Sequence, residues 1–411
     1  MPTAKTFDAK SSLAFVVAFG IVSLFADAAY EGMRGISGPF LATLGASGFA
    51  VGLIAGLGEF FGYTLRLFSG RLADSTRAYW PITLAGYVVQ MLAVPALALA
   101  GNWQMAAVLI VLERAGKAIR SPSRDVMLSR AGEHIGQGWA FGLHEVLDQV
   151  GAMSGPLIAA LVLAIHHDYR MAFAWLAVPA AVTLILVFAL RFRYRAAGQV
   201  APPPHGETEA KGLPRAFWLY AAASALVAFG FADFTLISFH FGRSGTVRGD
   251  AIAIFYAAAM ASAGIASLLF GRWFDRAGLK VIFPGIALGI VVAPLAFFGG
   301  FWAALAATLA WGASLGVHEA VMSAAVAKLV PLSARARAYG IFTAIFGTAW
   351  FAGSALLGAL YDVSLLALVA AATLAQAQSD AELAETSVQD VLGWIKEQER
   401  LAMTPGGFKH E

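Results

Sequence analysis

The chain lacks cysteine and is poor in charged and amide side chains. None of its 411 residues is Cys, so it can form neither a disulfide bond nor a thiolate metal site. Asp, Glu, Lys and Arg make up 13% of the chain, whereas soluble globular proteins have about 25%. No phosphate-binding loop of the form Gly-x-x-x-x-Gly-Lys-Ser/Thr occurs, which argues against an ATP-driven pump.

The chain is rich in apolar residues. Hydrophobic residues make up 59% of it, which predicts a protein that crosses a membrane repeatedly. One crossing needs about 20 mostly apolar residues. We predict twelve spans, near residues 12–30, 45–68, 80–100, 104–120, 139–165, 171–190, 217–241, 251–270, 280–298, 301–327, 338–361 and 363–377.

One long polar connection divides these spans into six and six. It covers residues 191–215, is rich in Pro and charge, and has the composition of a linker. We therefore predict an N-terminal six-helix bundle at 1–190, a cytoplasmic linker at 191–215, a C-terminal six-helix bundle at 216–378 and a cytoplasmic tail at 379–411.

Basic residues predict the orientation, because Lys and Arg concentrate on the cytoplasmic side of membrane proteins. With the amino terminus in the cytoplasm, most of the 28 Lys and Arg residues fall on that side. Arg34, Arg170, Arg243 and Arg248 fall outside, and Arg114 stays within a span. We expect both termini in the cytoplasm and a location in the inner (plasma) membrane. The same charge bias explains the basic composition without a nucleic-acid partner.

Short motifs recur in the two halves. The stretch "LFSGRLAD" at Leu67–Asp74 follows span two, and "LLFGRWFD" at Leu268–Asp275 follows span eight. The triplet "FAD" ends at Asp27 in span one and again at Asp233 in span seven. Ordered matches at nearly constant spacing indicate an internal duplication. Parallel repeats of this kind are an architecture of transporters that bind substrate between their halves.

The motifs resemble those of the major facilitator superfamily. "GRLADSTR" at Gly70–Arg77 and "GRWFDRAGLK" at Gly271–Lys280 resemble its loop motif, and "GAMSGP" at Gly151–Pro156 resembles the span-five motif of its antiporters. The resemblance implies an all-α polytopic fold in which twelve transmembrane helices form two pseudo-symmetric six-helix bundles. It also implies alternating access, with spans one, four, seven and ten around a central cavity.

The loop motif suggests a gate. Its glycines permit close helix approach, and its aspartates can pair with bases and a helix N-terminus, holding the cytoplasmic face shut. Arg120 and Arg124, at the end of span four, can pair with Asp74 or Asp125. Alternatively, they serve only as cytoplasmic basic residues that set the orientation. The predicted gating residues are Gly70, Asp74, Arg77, Gly271, Asp275, Arg276, Arg120 and Arg124.

Span five carries three ionisable side chains, His144, Glu145 and Asp148, beside a very apolar run. At 100° per residue, His144, Asp148, Gly151 and Gly155 share one face. We predict that this face turns into the bundle, that Gly151 and Gly155 let a neighbouring helix pack closely, and that Pro156 bends the helix. The spacing lacks a recognised metal-ligand pattern, so a metalloenzyme site here is the weaker alternative, and we expect no metal.

Other spans also carry ionisable groups, which are costly in a bilayer and often functional. Burial of a carboxyl group favours its neutral form, whereas a nearby guanidinium favours its charged form. A carboxyl group subject to both influences can load and release a proton. We predict coupling or cavity roles for Asp27, Glu113, Arg114, Asp148, Asp233 and Glu319. Alternatively, Glu113 and Arg114 form a static ion pair. Glu59 is expected to bond a neighbouring helix, and Glu31 and His240 to be solvated near the outer surface.

The predicted substrate cavity is acidic and aromatic, with Tyr30, Trp311, His318 and Trp350 as candidate lining residues. Arg114 is the one Arg assigned to the interior of a span, with Arg66 and Arg120 at cytoplasmic span ends, which disfavours a polyanion. The single Asn of the chain disfavours a sugar. We predict a secondary transporter that exports a small amphiphilic or cationic organic compound in exchange for protons. Import by proton symport is the alternative, and a passive channel a third. The expected partners are substrate, protons and the lipid bilayer. We expect a monomer without a cofactor.

Overall fold

The computed structural model describes residues 9–195, 213–277, 281–330 and 335–379, and in these ranges the chain is helical without strands. Most of the predicted linker and the tail beyond 379 lie outside the described residues. The helices are α1 (Ala9–Thr43), α2 (Gly48–Thr76), α3 (Tyr79–Ala96), α4 (Trp103–Ile135), α5 (Gln137–His166), α6 (Tyr169–Trp175), α7 (Ala177–Arg193), α8 (Arg215–Gly230), α9 (Phe234–Ser244), α10 (Gly249–Ala277), α11 (Ile282–Phe298), α12 (Phe301–Leu329), α13 (Arg335–Val363) and α14 (Leu365–Ser379).

These helices correspond to the twelve predicted spans, and the all-α polytopic fold is confirmed. The sixth span is divided into α6 and α7, and the seventh into α8 and α9 at residues 231–233. Within the described ranges, nine helices are long and apolar enough to cross a membrane by length and composition alone, and two shorter apolar helices lie at Phe283–Phe298 and Leu365–Ser379. The fourth span falls short of that criterion because α4 carries eight charged residues.

Two helices are much longer than predicted. The first span was expected to end at residue 30, but α1 continues to Thr43. The fourth was expected to end at residue 120, but α4 continues through Pro122 to Ile135. Charged residues such as Glu31 and Arg120 marked both predicted ends, and in the folded protein they are buried and paired within the bundle.

Glycines set the packing inside each half. A side chain at Gly155 in α5 would collide with the Ala28 carbonyl of α1, and one at Gly353 in α13 would collide with the Phe229 carbonyl of α8. The fifth and first spans therefore touch in the same way as the eleventh and seventh. This repeated backbone contact matches the pseudo-symmetry of the two halves, since small residues let membrane helices approach closely.

The halves meet mainly along three helix pairs, α2 with α13, α5 with α10 and α1 with α9. We call the side on which α1 begins the terminal face and the other side the opposite face. Near the opposite face Gly52 lies against the Ser354 carbonyl, and Gly38 against the Thr235 carbonyl. Every residue from Ala26 to Leu41 of α1 is buried. These contacts close the centre of the interface towards the opposite face, where a separate cavity of about 470 Å³ is lined by residues of both halves.

Candidate functional site

Two adjoining cavities lie between the halves, from mid-helix towards the terminal face. The smaller, of about 110 Å³, is lined by Tyr30, Glu31, Arg34, Glu59, Gly62, Tyr63, Arg66, Arg114, Lys117, Ala118, Leu315 and Trp350. The larger, of about 420 Å³, is lined by Asp27, Glu31, Arg34, Lys117, Glu145, Asp148, Gln149, Ala152, Met260, Ala263, Ser267 and Leu315. Pockets for drug-sized ligands have volumes of roughly 300–1,000 Å³, so the larger cavity alone reaches that range.

Arg34 connects the two halves within the membrane. Its Nη2 lies 3.2 Å from Glu59 Oε1 in the first half and 3.5 Å from Asp233 Oδ2 in the second. Asp233 also accepts a hydrogen bond of 2.8 Å from the backbone N–H of Thr235, which caps α9. The expectation that Arg34 lies outside the membrane is wrong, because α1 extends 13 residues past Tyr30 and buries it.

Arg114 and Glu113 do not form the ion pair that was one alternative. Arg114 Nη2 lies 2.7 Å from Glu59 Oε1, and Arg114 also donates to the Tyr30 hydroxyl. Glu113 is fully buried and accepts a 2.7 Å hydrogen bond from Gln90 Nε2 of α3. Adjacent helical residues point about 100° apart, so the two side chains face different neighbours. Arg114 lines the smaller cavity, whereas Glu113 lines neither. Glu59 bonds neighbouring helices, as expected.

Asp27 lies among bases of α4. Its Oδ1 is 3.7 Å from Arg120 Nη2 and 3.9 Å from Lys117 Nζ. Arg120 is fully buried and donates from Nε to Gln90 Oε1 at 2.6 Å and from Nη1 to the Tyr87 hydroxyl at 3.1 Å. Arg120 therefore does not pair with Asp74 in this conformation.

Arg124 also turns inwards. It lies 2.9 Å from Asp125, the neighbour predicted as one option, and 4.0 Å from Asp148 of α5. Together with Arg34, Arg114 and Arg120 it makes four arginines inside the bundle, not one. The sequence argument against an anionic substrate depended on a single intramembrane Arg, and this premise is wrong.

The polar face of α5 turns into the bundle. Asp148 Oδ2 lies 3.6 Å from His144 Nε2, which is 3.3 Å from the Ser23 hydroxyl of α1. Gly151 lies directly against the Leu24 carbonyl, and Pro156 lies within the helix. On the other side Val146, Val150 and Met153 are exposed. Leu147 is half-buried and contacts Gly20 of α1.

The predicted aromatic lining divides into two groups. Tyr30 and Trp350 line the smaller cavity. Trp311 is fully buried, donates from Nε1 to the Ala232 carbonyl at 3.0 Å and stacks on Phe231. It therefore supports the break between α8 and α9 instead of lining the described cavities. His318 is buried beside Phe231, and neither ring nitrogen has a hydrogen-bond partner among the described residues. The side chain of Glu319 lies outside the described residues.

The outer-surface expectation for Glu31 and His240 is wrong, since both are buried. Glu31 Oε2 accepts a 2.6 Å hydrogen bond from the Tyr256 hydroxyl of α10, a second polar contact between the halves. His240 Nδ1 lies 3.1 Å from the Tyr361 hydroxyl.

The predicted gate residues are spread along the terminal face. Asp74 accepts a 3.0 Å hydrogen bond from the Tyr79 hydroxyl, and among the described residues it forms no ion pair. Arg77 ends α2 in the left-handed region with φ 55°. Gly70 lies near Pro122, the space beside Gly271 is open, and Arg276 is exposed. The side chain of Asp275 lies outside the described residues.

A contact at the opposite face was missed by sequence reasoning. Asp362 at the end of α13 accepts hydrogen bonds of 2.8 Å from the backbone N–H groups of both Gly48 and Phe49. The first turn of α2 in one half is thus capped by a carboxylate from the other half, where the helix dipole favours an anion. The sequence feature that could have indicated this contact is an acidic residue, Asp362, at the end of an apolar helix.

Comparison with known proteins identifies the family. The family model described as Major Facilitator Superfamily matches residues 13–263. The "Uncharacterized protein Rv2265" of Mycobacterium tuberculosis is 42% identical over 370 residues, covering 89% of this chain and 90% of that protein. The "Uncharacterized MFS-type transporter MJ1317" of Methanocaldococcus jannaschii is 24% identical over 366 residues, covering 85% and 89%.

A solved structure has the same fold. The crystal structure of the nucleoside transporter NupG superposes with a TM-score of 0.70 at 14% identity, covering 90% of this chain and 99% of that one. The chain belongs to the major facilitator superfamily. It is a multi-pass membrane transporter and not an enzyme.

Proposed function

We propose that the protein is a proton-coupled secondary transporter that works by alternating access and exports a small amphiphilic or cationic organic compound. The bundles at 1–190 and 216–378 are the moving units, with 191–215 as the linker between them. The terminal face is cytoplasmic, as the distribution of Lys and Arg predicts. The transporter works as a monomer in the inner membrane.

The bridge formed by Arg34 carries this proposal. One guanidinium pairs with Glu59 in the first half and with Asp233 in the second, on the route between the cavities and the closed opposite face. Buried ion pairs are strongly destabilised when one partner is neutralised. Protonation of Asp233 therefore weakens the link between the halves, so that proton binding favours separation of the halves at the opposite face.

Asp27 and Asp148 supply carboxylates where protons and substrate can meet. Both line the larger cavity, and both lie near bases of α4 that stabilise their charged forms. Burial opposes this by favouring the neutral form. Either carboxylate can bind a proton or a cationic group of the substrate, which coupling requires. Export, in contrast to import, is supported by the resemblance of Gly151–Pro156 to the antiporter motif.

Proteoliposomes that contain a pH-sensitive dye test the coupling. A library of amphiphilic organic compounds is added outside vesicles with an acidic lumen, and lumenal pH is followed. An antiporter moves protons out as substrate enters, so that lumenal pH rises for substrates only. A fall in lumenal pH identifies a symporter. No compound-dependent change in either direction contradicts proton coupling. Empty liposomes and Asp148→Asn protein are the controls.

A further inference from the structure

The two cavities differ in the charge of their walls. Among the described residues, the smaller is lined by four bases, Arg34, Arg66, Arg114 and Lys117, against two acids, Glu31 and Glu59. The larger is lined by four acids, Asp27, Glu31, Glu145 and Asp148, against two bases, Arg34 and Lys117. Because Glu31, Arg34, Lys117 and Leu315 line both, the cavities adjoin, with bases in excess in one and acids in excess in the other.

The bases of the smaller cavity have more N–H donors than the neighbouring carboxylates accept. Glu59 Oε1 accepts from both Arg34 and Arg114, so one carboxylate serves two guanidinium groups. Lys117 Nζ lies over the Tyr30 ring and is 3.9 Å from Asp27, beyond hydrogen-bond distance. Arg66 lies near the Tyr63 ring and has no ion pair among the described residues. An anionic group is what such donors bind best.

The acids of the larger cavity have spare acceptors. Glu145 is exposed and accepts a hydrogen bond from the neutral amide of Gln149 at 3.1 Å. Asp148 Oδ1 has no hydrogen-bond partner among the described residues. Asp27 Oδ1 likewise lacks a hydrogen bond and has only the two distant bases of α4. A buried carboxylate with an unused oxygen favours a cationic or protonated partner.

Apolar side chains from the second half face this charged wall. Leu315 lines both cavities, Trp350 lines the smaller, and Met260 and Ala263 line the larger. Charge recognition therefore comes mainly from the first half and apolar contact from the second. A compound that touches both halves must combine charged groups with a hydrocarbon body.

We propose that the transported compound is a small zwitterion with an apolar body. Its anionic group lies against Arg66, Arg114 and Lys117, and its cationic group lies against Asp148 and Glu145. This inference rests on the proposed function and specifies its substrate class. It also gives the coupling a physical form, because the cationic group and a proton compete for the same carboxylates.

A matched set of probes tests the charge requirement by binding alone. The probes are ω-aminoalkanoates from β-alanine to ε-aminocaproate, phenylalanine, and for each the alkanoate lacking the amine and the amine lacking the carboxylate. Thermal stabilisation of the purified protein in detergent is measured as a function of probe concentration. We expect at least one zwitterion to bind about tenfold or more tightly than both of its singly charged analogues, because each analogue lacks one of the two charge-assisted contacts.

Two variants test the two ends of the site separately. Arg66→Gln is expected to weaken binding of the zwitterion about tenfold, to the level of the amine analogue. Glu145→Gln, at an exposed position that perturbs folding least, is expected to reduce binding to the level of the alkanoate analogue. Arg248→Gln is the matched control, because Arg248 is 77% exposed at the opposite face, and its affinities should equal those of the unaltered protein.

The outcomes of these experiments distinguish failure of the zwitterion site from failure of proton coupling. Equal or tighter binding of an amine or alkanoate analogue, or no stabilisation by any zwitterion at millimolar concentration, overturns the zwitterion site. Proton-coupled flux of some other compound would leave the proposed function intact in that case. Conversely, zwitterion binding that responds to both variants, without flux driven by a pH gradient in proteoliposomes, supports the site and overturns proton coupling.

Discussion

The carboxylate of Asp362 holds the first turn of α2 at Gly48, and these two residues belong to different halves of the transporter. A second 2.8 Å hydrogen bond, from Phe49, makes the contact two-pronged. In the proposed alternating-access cycle, opening of the opposite face must break both bonds, since they join elements of different halves.

Asp362→Asn is therefore expected to favour the conformation that is open at the opposite face, because an amide oxygen replaces the charged acceptor of the cap. The absence of cysteine allows clean labelling. Spin labels on Gln104→Cys and Trp302→Cys, both exposed at the opposite face, should show a larger share of long distances. Asp168→Asn makes the same change of acceptor in a cap that lies within one half and should leave the distribution unchanged. An unaltered distribution in Asp362→Asn protein would show that the cap does not act as a latch.

Arg34→Gln is expected to destabilise the protein by about 3–5 kcal/mol, because it leaves Glu59 and Asp233 with one base fewer in a buried site. The double variant Arg34→Gln with Asp233→Asn restores charge balance and should recover part of that loss. Unfolding in detergent, analysed as a double-mutant cycle, gives the coupling energy. Additive losses would mean that the two residues do not interact.

Glu113→Gln is expected to retain flux driven by a pH gradient, with the pH profile of the unaltered protein. Glu113 contacts Gln90 in the interface of α3 and α4 and lines neither cavity. Asp148→Asn, which alters a cavity carboxylate, should abolish the gradient dependence. If instead Glu113→Gln uncouples flux from the gradient while folding normally, the proton pathway runs through α3 and α4.

Gly155→Ala is expected to lower the free energy of unfolding by about 1–3 kcal/mol, the usual cost of overpacking. The added methyl group would meet the Ala28 carbonyl, and the Gly32 nitrogen lies only 2.8 Å from its position. Gly142→Ala is the matched control on the same helix, since nothing lies within 4 Å of a side chain there. Thermal unfolding of both proteins in detergent provides the comparison. Equal stabilities would mean that α1 and α5 adjust without strain.

Hydropathy and motif spacing predicted the fold well, whereas the charged site was predicted poorly. All twelve spans have corresponding helices because burial in lipid imposes long apolar runs. Arg34 was assigned to the outside because a charged residue after Tyr30 resembles a helix end. Only the folded protein brings Glu59 and Asp233, which are 25 and 199 residues distant in sequence, to its guanidinium.

The expected ion pair between adjacent residues was wrong for a related reason. Glu113 and Arg114 are adjacent, which suggested an ion pair, but helical geometry directs them to different helices. The polar face of α5 was predicted correctly, because helical periodicity alone decides which residues share a face. Partners on other helices depend on tertiary packing, which spacing along one chain does not encode.

At the break between α8 and α9, the side chain of Asp233 has two roles. Asp233 starts α9 by accepting from Thr235, and it also balances the charge of Arg34 on α1. Trp311 anchors the intervening Ala232 carbonyl to α12. A change in ionisation at this single carboxyl would thus act directly on α1 and α9, and on α12 through the neighbouring Ala232, so one protonation event couples elements of both halves.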